Sequence, residues 1–224
     1  MAKKESYLEK FLKKKKLYDN DNIKEALTHK SADRKHYEKL EFLGDSVLGL
    51  CVTDFLYKKF VKLDVGSISK IKGYLVSKEV LYRIGTENDV VQYIRFGGTL
   101  KKSELKRNKK IISDIIESLI GAVYLIAGYD ETEKFIKGLY SGEFKSISRR
   151  RDFGDYKSEF QMVMLARENI LPEYRIIKTE GEEHKKMFYV EVVWKDKVIG
   201  AGKGKTIKEA EQEAAKKALK KIKI

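Results

Sequence analysis

The stretch His36-Tyr37-Glu38-Lys39-Leu40-Glu41-Phe42-Leu43-Gly44-Asp45-Ser46-Val47-Leu48 sets three acids, Glu38, Glu41 and Asp45, into an otherwise apolar helical pattern. At i, i+3 and i+7 they share one helix face within two turns. Leu40, Leu43, Val47, Leu48, Cys51, Phe55 and Leu56 continue the period without a proline, so the spacing predicts one long, mostly buried helix from Tyr37 to about Phe60.

A second helix poses the same problem. Lys109 to Ala127 carries Ile111, Ile112, Ile115, Ile116, Leu119, Ile120, Val123, Leu125 and Ile126, an apolar surface that belongs in a core, and Gly128 follows as its C-cap. Asp114 and Glu117 stand on it at i and i+3. A buried carboxylate costs free energy unless it is paired or binds a cation. Two arrangements satisfy these acids: a polar groove in which they pair with Lys or Arg, or a shared metal ion. Two acidic clusters in one domain favour the metal, and an all-oxygen site suits Mg²⁺ or Mn²⁺ and phosphodiester cleavage.

Around these two helices the chain reads as all-α. A short helix follows Asn22 as N-cap, Thr28 to Lys35 is a polar loop, and further helices are expected at Ser67 to Val76, Lys78 to Glu87 and Glu131 to Leu139. No apolar period crosses the basic stretch containing Arg149-Arg150-Arg151, which marks a linker. The pattern then becomes helix (Tyr156 to Glu168), three strands (Tyr174 to Thr179, Met187 to Trp194, Lys197 to Gly202) and helix (Lys208 to Ile222). This αβββα order predicts a three-stranded antiparallel sheet backed by two helices. The expected division is residues 1–149, a linker at 150–154, and residues 155–224.

A net charge of +14 implies a polyanionic partner, nucleic acid or an acidic membrane surface. No run of about 18 consecutive apolar residues exists and the Lys-rich N-terminus lacks a signal sequence, so a cytoplasmic protein that does not engage a membrane is expected. The single cysteine, Cys51, excludes an internal disulfide, and His29, His36 and His184 have no zinc-ligand spacing.

The Glu38 to Asp45 segment closely resembles the ribonuclease III signature, an acidic residue followed by Leu-Glu-Phe-Leu-Gly-Asp. Asp114 and Glu117 match that family's second acidic pair, and Ala26-Leu27-Thr28-His29-Lys30-Ser31 matches its upstream segment. The resemblance implies an all-helical ribonuclease III nuclease domain in which Glu41, Asp45, Asp114 and Glu117 bind Mg²⁺, with Mn²⁺ as a substitute. It makes Asp45 and Glu117 catalytic and Glu38 a nearby acid. It further implies a homodimer that cuts both strands of double-stranded RNA in rRNA and mRNA processing, leaving 5′-phosphate and 3′-hydroxyl ends. Phe42 matches the dimer-contact aromatic, although its spacing alone also fits core packing. In that mechanism one ion makes a bound water the nucleophile and a second stabilises the leaving 3′ oxygen, and the sequence leaves the number of ions per site open.

The second domain is similar to a double-stranded RNA-binding domain. Gly181-Glu182-Glu183-His184 stands where that family has a Gly-Pro-x-His loop, and Gly202-Lys203-Gly204-Lys205-Thr206-Ile207-Lys208-Glu209-Ala210 matches the start of its last helix. The resemblance puts Gln161 and His184 in successive minor grooves, with Lys203, Lys205 and Lys208 on the phosphates between them. From Asp155 onward, 16 Lys and Arg face 12 Asp and Glu, a net +4, so affinity must come from placement rather than bulk charge. One departure stands in the nuclease part: Val65 occupies the place of a frequent glutamate, with Asp64 one residue earlier as a possible replacement. The alternative function is a non-catalytic double-stranded RNA-binding protein on the same fold, which loss of the metal carboxylates would signal.

Overall fold

The computed structural model describes residues 5–98, 101–147, 156–182 and 186–222. It divides into two compact units, residues 1–61 with 68–144 and residues 62–67 with 145–224.

The first unit is helical, with α1 (Tyr7–Lys14), α2 (Asp21–Ala26), α3 (Glu38–Lys59), α4 (Val65–Leu75), α5 (Lys78–Glu87), a 3-10 turn (Val90–Gln92), α6 (Lys102–Arg107), α7 (Lys109–Leu139) and α8 (Ser141–Ser146). The predicted long helix is α3, shorter than expected by one residue at each end. The two helices predicted on either side of Gly128 form α7, which breaks where Gly128 takes φ 74° and ψ −174°, a conformation that glycine adopts without a Cβ penalty. Three short helices, α1, α6 and α8, lie outside the sequence expectations. In α1 the apolar positions fall within a lysine-rich run, yet Leu8 and Leu12 are fully buried and the Phe11 ring meets Phe135 at 4.5 Å. The cap of α2 is Asn20, not Asn22: the Asn20 side chain accepts from the Asn22 N–H at 2.9 Å. A cap accepts from the N–H two or three residues on, and the helix begins one residue before Asn22.

At the centre, α3 crosses α7 at two glycines. A Cβ on Gly44 would run into the carbonyl oxygen of Glu117, and one on Gly121 into the carbonyl oxygen of Leu40. The absence of both side chains lets the two backbones touch. Around this crossing Leu40, Val47, Leu48, Ile116, Leu119, Ile120 and Val123 are buried. The Ser118 hydroxyl donates to the Ala26 carbonyl at 2.8 Å and anchors the end of α2 on α7. The Ser113 hydroxyl donates to the Lys78 carbonyl at 2.9 Å and does the same for the start of α5. Among the described helices, α7 alone is long and apolar enough to cross a membrane, and 72% of its most apolar window is buried inside the protein, as for a core helix.

The second unit has α9 (Tyr156–Glu168), β1 (Glu173–Glu180), β2 (Met187–Trp194), β3 (Lys197–Gly204) and α10 (Ile207–Lys221). The strands form an antiparallel sheet in the order β1-β2-β3. The β2–β3 turn holds Lys195 and Asp196 at φ 49° and 59°, as a tight two-residue hairpin requires. Phe160, Val163 and Met164 of α9, Val192 of β2, and Ala214, Ala215 and Ala218 of α10 make the core. Here too glycine sets a close approach: a Cβ on Gly200 or Gly202 would collide with the backbone of α10 at Ala214 or Ala210. The predicted 150–154 linker lies outside the described residues.

Adding a methyl group at the α3–α7 crossing forces the helix backbones apart. Gly44→Ala is expected to destabilise the protein by about 1–3 kcal/mol through overpacking, read as a lower denaturation midpoint. Gly73, mid-helix in α4, has no atom within 4 Å of its notional Cβ. Gly73→Ala is expected to be neutral or to add about 0.5–1 kcal/mol. Equal midpoints for the two variants would refute the crossing as a close backbone contact.

Candidate metal centre and nucleic-acid interface

The α3–α7 crossing sets the acids face to face. Glu41 lies three residues before Gly44 and Asp45 one residue after it, while Glu117 is the residue whose carbonyl meets Gly44 and Asp114 lies one turn earlier. Carboxylate oxygens of Glu41, Asp114 and Glu117 come within 4.8 Å of one another. Asp114 is fully buried, Glu117 is 8% exposed and Glu41 is partly buried.

Asp45, the fourth predicted ligand, stands beside this trio rather than inside it. It is exposed and opens onto a groove of about 440 Å³ lined with Ser46, Gly49, Leu50, Thr53, Lys72 and Val76. Its charge nevertheless reaches Glu117, whose carboxyl is pushed up to about 8, first by burial and then by Asp45, Asp114 and Glu41. Glu41 is also raised, by burial and by Asp114, against the opposing pull of Lys110 and Lys78. The acids outnumber the nearby lysines, and the all-oxygen donor set is that of a hard divalent cation.

The expected alternative, pairing with basic side chains, is realised at one acid. Lys110 Nζ lies 3.1 Å from Asp114 Oδ2, and Lys78 Nζ lies 3.7 Å from Asp114 Oδ1. Even so, Asp114 Oδ1 is buried without a hydrogen-bond partner, an orphan acceptor that a bound cation would satisfy. Among the described residues Glu41 and Glu117 have no ion pair. Tyr37, just before α3, is buried against Asp114, and its hydroxyl is raised by burial and by the surrounding acids. Lys110 is within reach of Asp114 by its i, i+4 spacing on α7, whereas sequence spacing gave no reason to single out Tyr37 or Lys78, which reach Asp114 only through the packing of α3 and α5 against α7.

Glu38 remains at the rim. It is exposed and lies 3.4 Å from Lys30 Nζ. Asp64 accepts from the Ser67 N–H at 2.9 Å and from the Ser67 hydroxyl at 2.7 Å, which makes it a cap at the start of α4. Val65 is 79% exposed, and Phe42 is 80% exposed, so Phe42 is not a core residue.

In the second unit, the alternation Gly202-Lys203-Gly204-Lys205 has a geometric reason. The glycines face α10, where no Cβ fits, and Lys203 and Lys205 are left exposed. The Glu213 carboxylate accepts from the Lys203 N–H at 2.7 Å, and the Glu209 carboxylate accepts from the Lys205 N–H at 2.8 Å. The Thr206 hydroxyl in turn accepts from the Glu209 N–H at 3.1 Å and caps α10. These bonds tie the backbone and leave the ammonium groups of Lys203, Lys205 and Lys208 free of ion pairs among the described residues. Gln161 lies on α9 with its side chain buried. His184 lies outside the described residues.

Comparison with known proteins agrees with both units. The Ribonuclease-III-like family model matches residues 19–143, and the double-stranded RNA binding motif matches residues 156–222. Ribonuclease 3 of Borreliella afzelii is 40% identical over 206 residues, covering 89% of this chain and 84% of that protein. Ribonuclease 3 of Natranaerobius thermophilus is 37% identical over 210 residues, covering 91% of each. Among solved structures, a nuclease domain of ribonuclease III from Campylobacter jejuni is similar with a TM-score of 0.54 and 33% identity, covering 57% of this chain and 90% of that one. An acidic centre on crossed core helices, a sheet-and-helix module with lysines set free by glycines, and these matches over nearly the whole length make this chain a member of the ribonuclease III family, endoribonucleases of double-stranded RNA.

Proposed function

We propose that the chain hydrolyses phosphodiester bonds of double-stranded RNA at Glu41, Asp45, Asp114 and Glu117, using Mg²⁺, with Mn²⁺ as a substitute. The observation that carries this is the buried trio of carboxylates with the orphan Oδ1 of Asp114. The bound ion supplies charge neutralisation at the scissile phosphate and a water nucleophile at neutral pH. Asp45 and Glu117 are assigned the catalytic roles, with Glu117 the buried member and Asp45 the one facing the groove. Cleavage leaves 5′-phosphate and 3′-hydroxyl ends. A non-catalytic role would be signalled by loss of these acids, and all four are present.

Capture of the duplex is assigned to residues 155–224, joined through 150–154 to a nuclease domain at 1–149. Lys203, Lys205 and Lys208 meet phosphates, and Gln161 and His184 read adjacent minor grooves once RNA displaces the present packing around Gln161. Two such chains pair through the exposed apolar face of α3, where Phe42 and Leu50 are 80% and 57% exposed. Large apolar surfaces of this kind mark association sites. The Campylobacter nuclease-domain structure is described as having a region involved in dimer formation. Processing of rRNA and mRNA in the cytoplasm is the corresponding cellular role.

Glu117→Gln keeps the side-chain shape and removes the ligand charge. Single-turnover cleavage at saturating RNA is expected to fall by about two orders of magnitude, roughly 2.7 kcal/mol of barrier, with duplex affinity and the helical circular dichroism of the folded protein retained. Cleavage at the unaltered rate would refute the metal assignment. Phe42→Glu is expected to convert the dimer to monomer in analytical ultracentrifugation with its helical circular dichroism intact; a dimer that survives the change would place the interface elsewhere.

The third expectation concerns the metal-free protein in excess chelator. Because Glu117 is raised from 4.5 to about 8 in the folded state, the native chain keeps a proton there that the unfolded chain releases. Its contribution to stability is full below the unfolded value and is lost as pH rises through the folded one. Melting temperature should therefore fall between about pH 5 and about pH 8, and Glu117→Gln should flatten that slope. Parallel slopes for both proteins would show that Glu117 stays ionised across the window.

A further inference from the structure

Two lysines occupy the place where the metal centre needs positive charge, and both are held there by rigid elements. Lys110 lies in the first turn of α7, four residues before Asp114, and places Nζ at 3.1 Å from Oδ2. Lys78 is the first residue of α5, and the hydrogen bond from the Ser113 hydroxyl to its carbonyl fixes that helix start one residue from Asp114 in the chain. From there its ammonium lies 3.7 Å from Oδ1. One fully buried carboxylate is thus approached by a cation on each oxygen, while both lysine side chains remain more than half exposed and free to swing into solvent.

The charges facing this point are Glu41, Glu117, Asp114, Asp45 and, at the rim, Glu38, with the hydroxyl of Tyr37. Lys30 pairs with Glu38 at the rim, and among the described residues Lys78 and Lys110 are the cations that approach Asp114 itself. Without a cation the acids would repel one another across the α3–α7 crossing. A divalent ion entering the same place meets two ammonium groups that it must displace or approach as like charges.

We propose that Lys78 and Lys110 are a built-in, displaceable counter-ion pair that holds the acidic centre together before the metal arrives and weakens metal binding by exchange. They act here as positioning residues through Asp114. The inference rests on the metal reading of the four carboxylates, and it adds that loading is a replacement of two monovalent cations by one divalent one. The consequence is a site that stays assembled when empty and fills reversibly.

The test titrates MgCl₂ into the full-length protein without RNA, reading isothermal heat and the metal-induced rise in melting temperature. Wild type, Lys110→Gln, Lys78→Gln, the double variant and Lys110→Arg are compared, with circular dichroism as the check on folding. Each glutamine variant is expected to melt lower than wild type in chelator and to bind Mg²⁺ about threefold to tenfold more tightly, the effect expected of removing one positive charge about 6 Å from a divalent ion in a solvent-accessible site. Lys110→Arg should behave as wild type. Folded glutamine variants whose Mg²⁺ midpoint is unchanged or weaker would overturn the exchange, as would an unchanged melting temperature in chelator. A wild-type protein that shows no Mg²⁺ response, matching Glu117→Gln, would instead overturn the metal reading on which the inference rests.

Discussion

The contact on which the nuclease unit depends is the touch of two helix backbones at Gly44 and Gly121. Neither position has room for a methyl group, since each notional Cβ falls on a carbonyl of the opposite helix. Interiors are packed too closely to absorb such a group without moving the helices, and here the helices carry the chemistry. Glu41 and Asp45 flank Gly44, and Asp114 and Glu117 precede Gly121. The spacing of the acids is therefore a direct consequence of how near α3 and α7 can come.

That closeness has an electrostatic cost. Burial and mutual repulsion raise Glu41 and Glu117, and Asp114 sits in the interior with one oxygen unsatisfied. Buried charge whose pairing is incomplete is among the larger penalties a fold can carry. The folded chain tolerates it because the apolar surroundings are extensive: Ile112, Ile115, Ile116, Leu119 and Ile120 of the same helix are fully buried. Local polarity is thus stabilised by non-local packing. Functional centres commonly show this conflict between a residue's preference and its place.

The second unit solves a different problem with the same device. Gly200 and Gly202 let β3 lie on the backbone of α10, opposite Ala210, Ala214 and Ala218. Strand alternation then sends Lys203 and Lys205 to the other side, where their amides are tied to Glu213 and Glu209 and their ammonium groups stay free. A modest domain charge of 16 basic against 12 acidic residues can still present positive charge at Lys203 and Lys205, because the acids beside them, Glu213 and Glu209, are engaged by backbone N–H groups.

Much of this was legible in the chain itself. The 3.6-residue period of α3 and α7, the break at Gly128 and the αβββα order are local patterns, and each expected element formed within two residues of its expected limits. The acids could be named because acidic residues on apolar helices conflict with burial, and Lys203, Lys205 and Lys208 because their segment resembles the start of the last helix of a double-stranded RNA-binding domain. Helices α1, α6 and α8 were not legible, since short segments in lysine-rich surroundings carry too little periodicity and are stabilised by what they pack on. Only the tertiary structure decided that Asp45 stands apart from the trio of Glu41, Asp114 and Glu117, that Asp64 caps a helix, that Phe42 is outside the core, and that Lys78 from a different helix reaches Asp114. Periodicity determines which face of a helix a residue occupies; the distance between two faces is set by the side chains packed, or missing, where the helices cross.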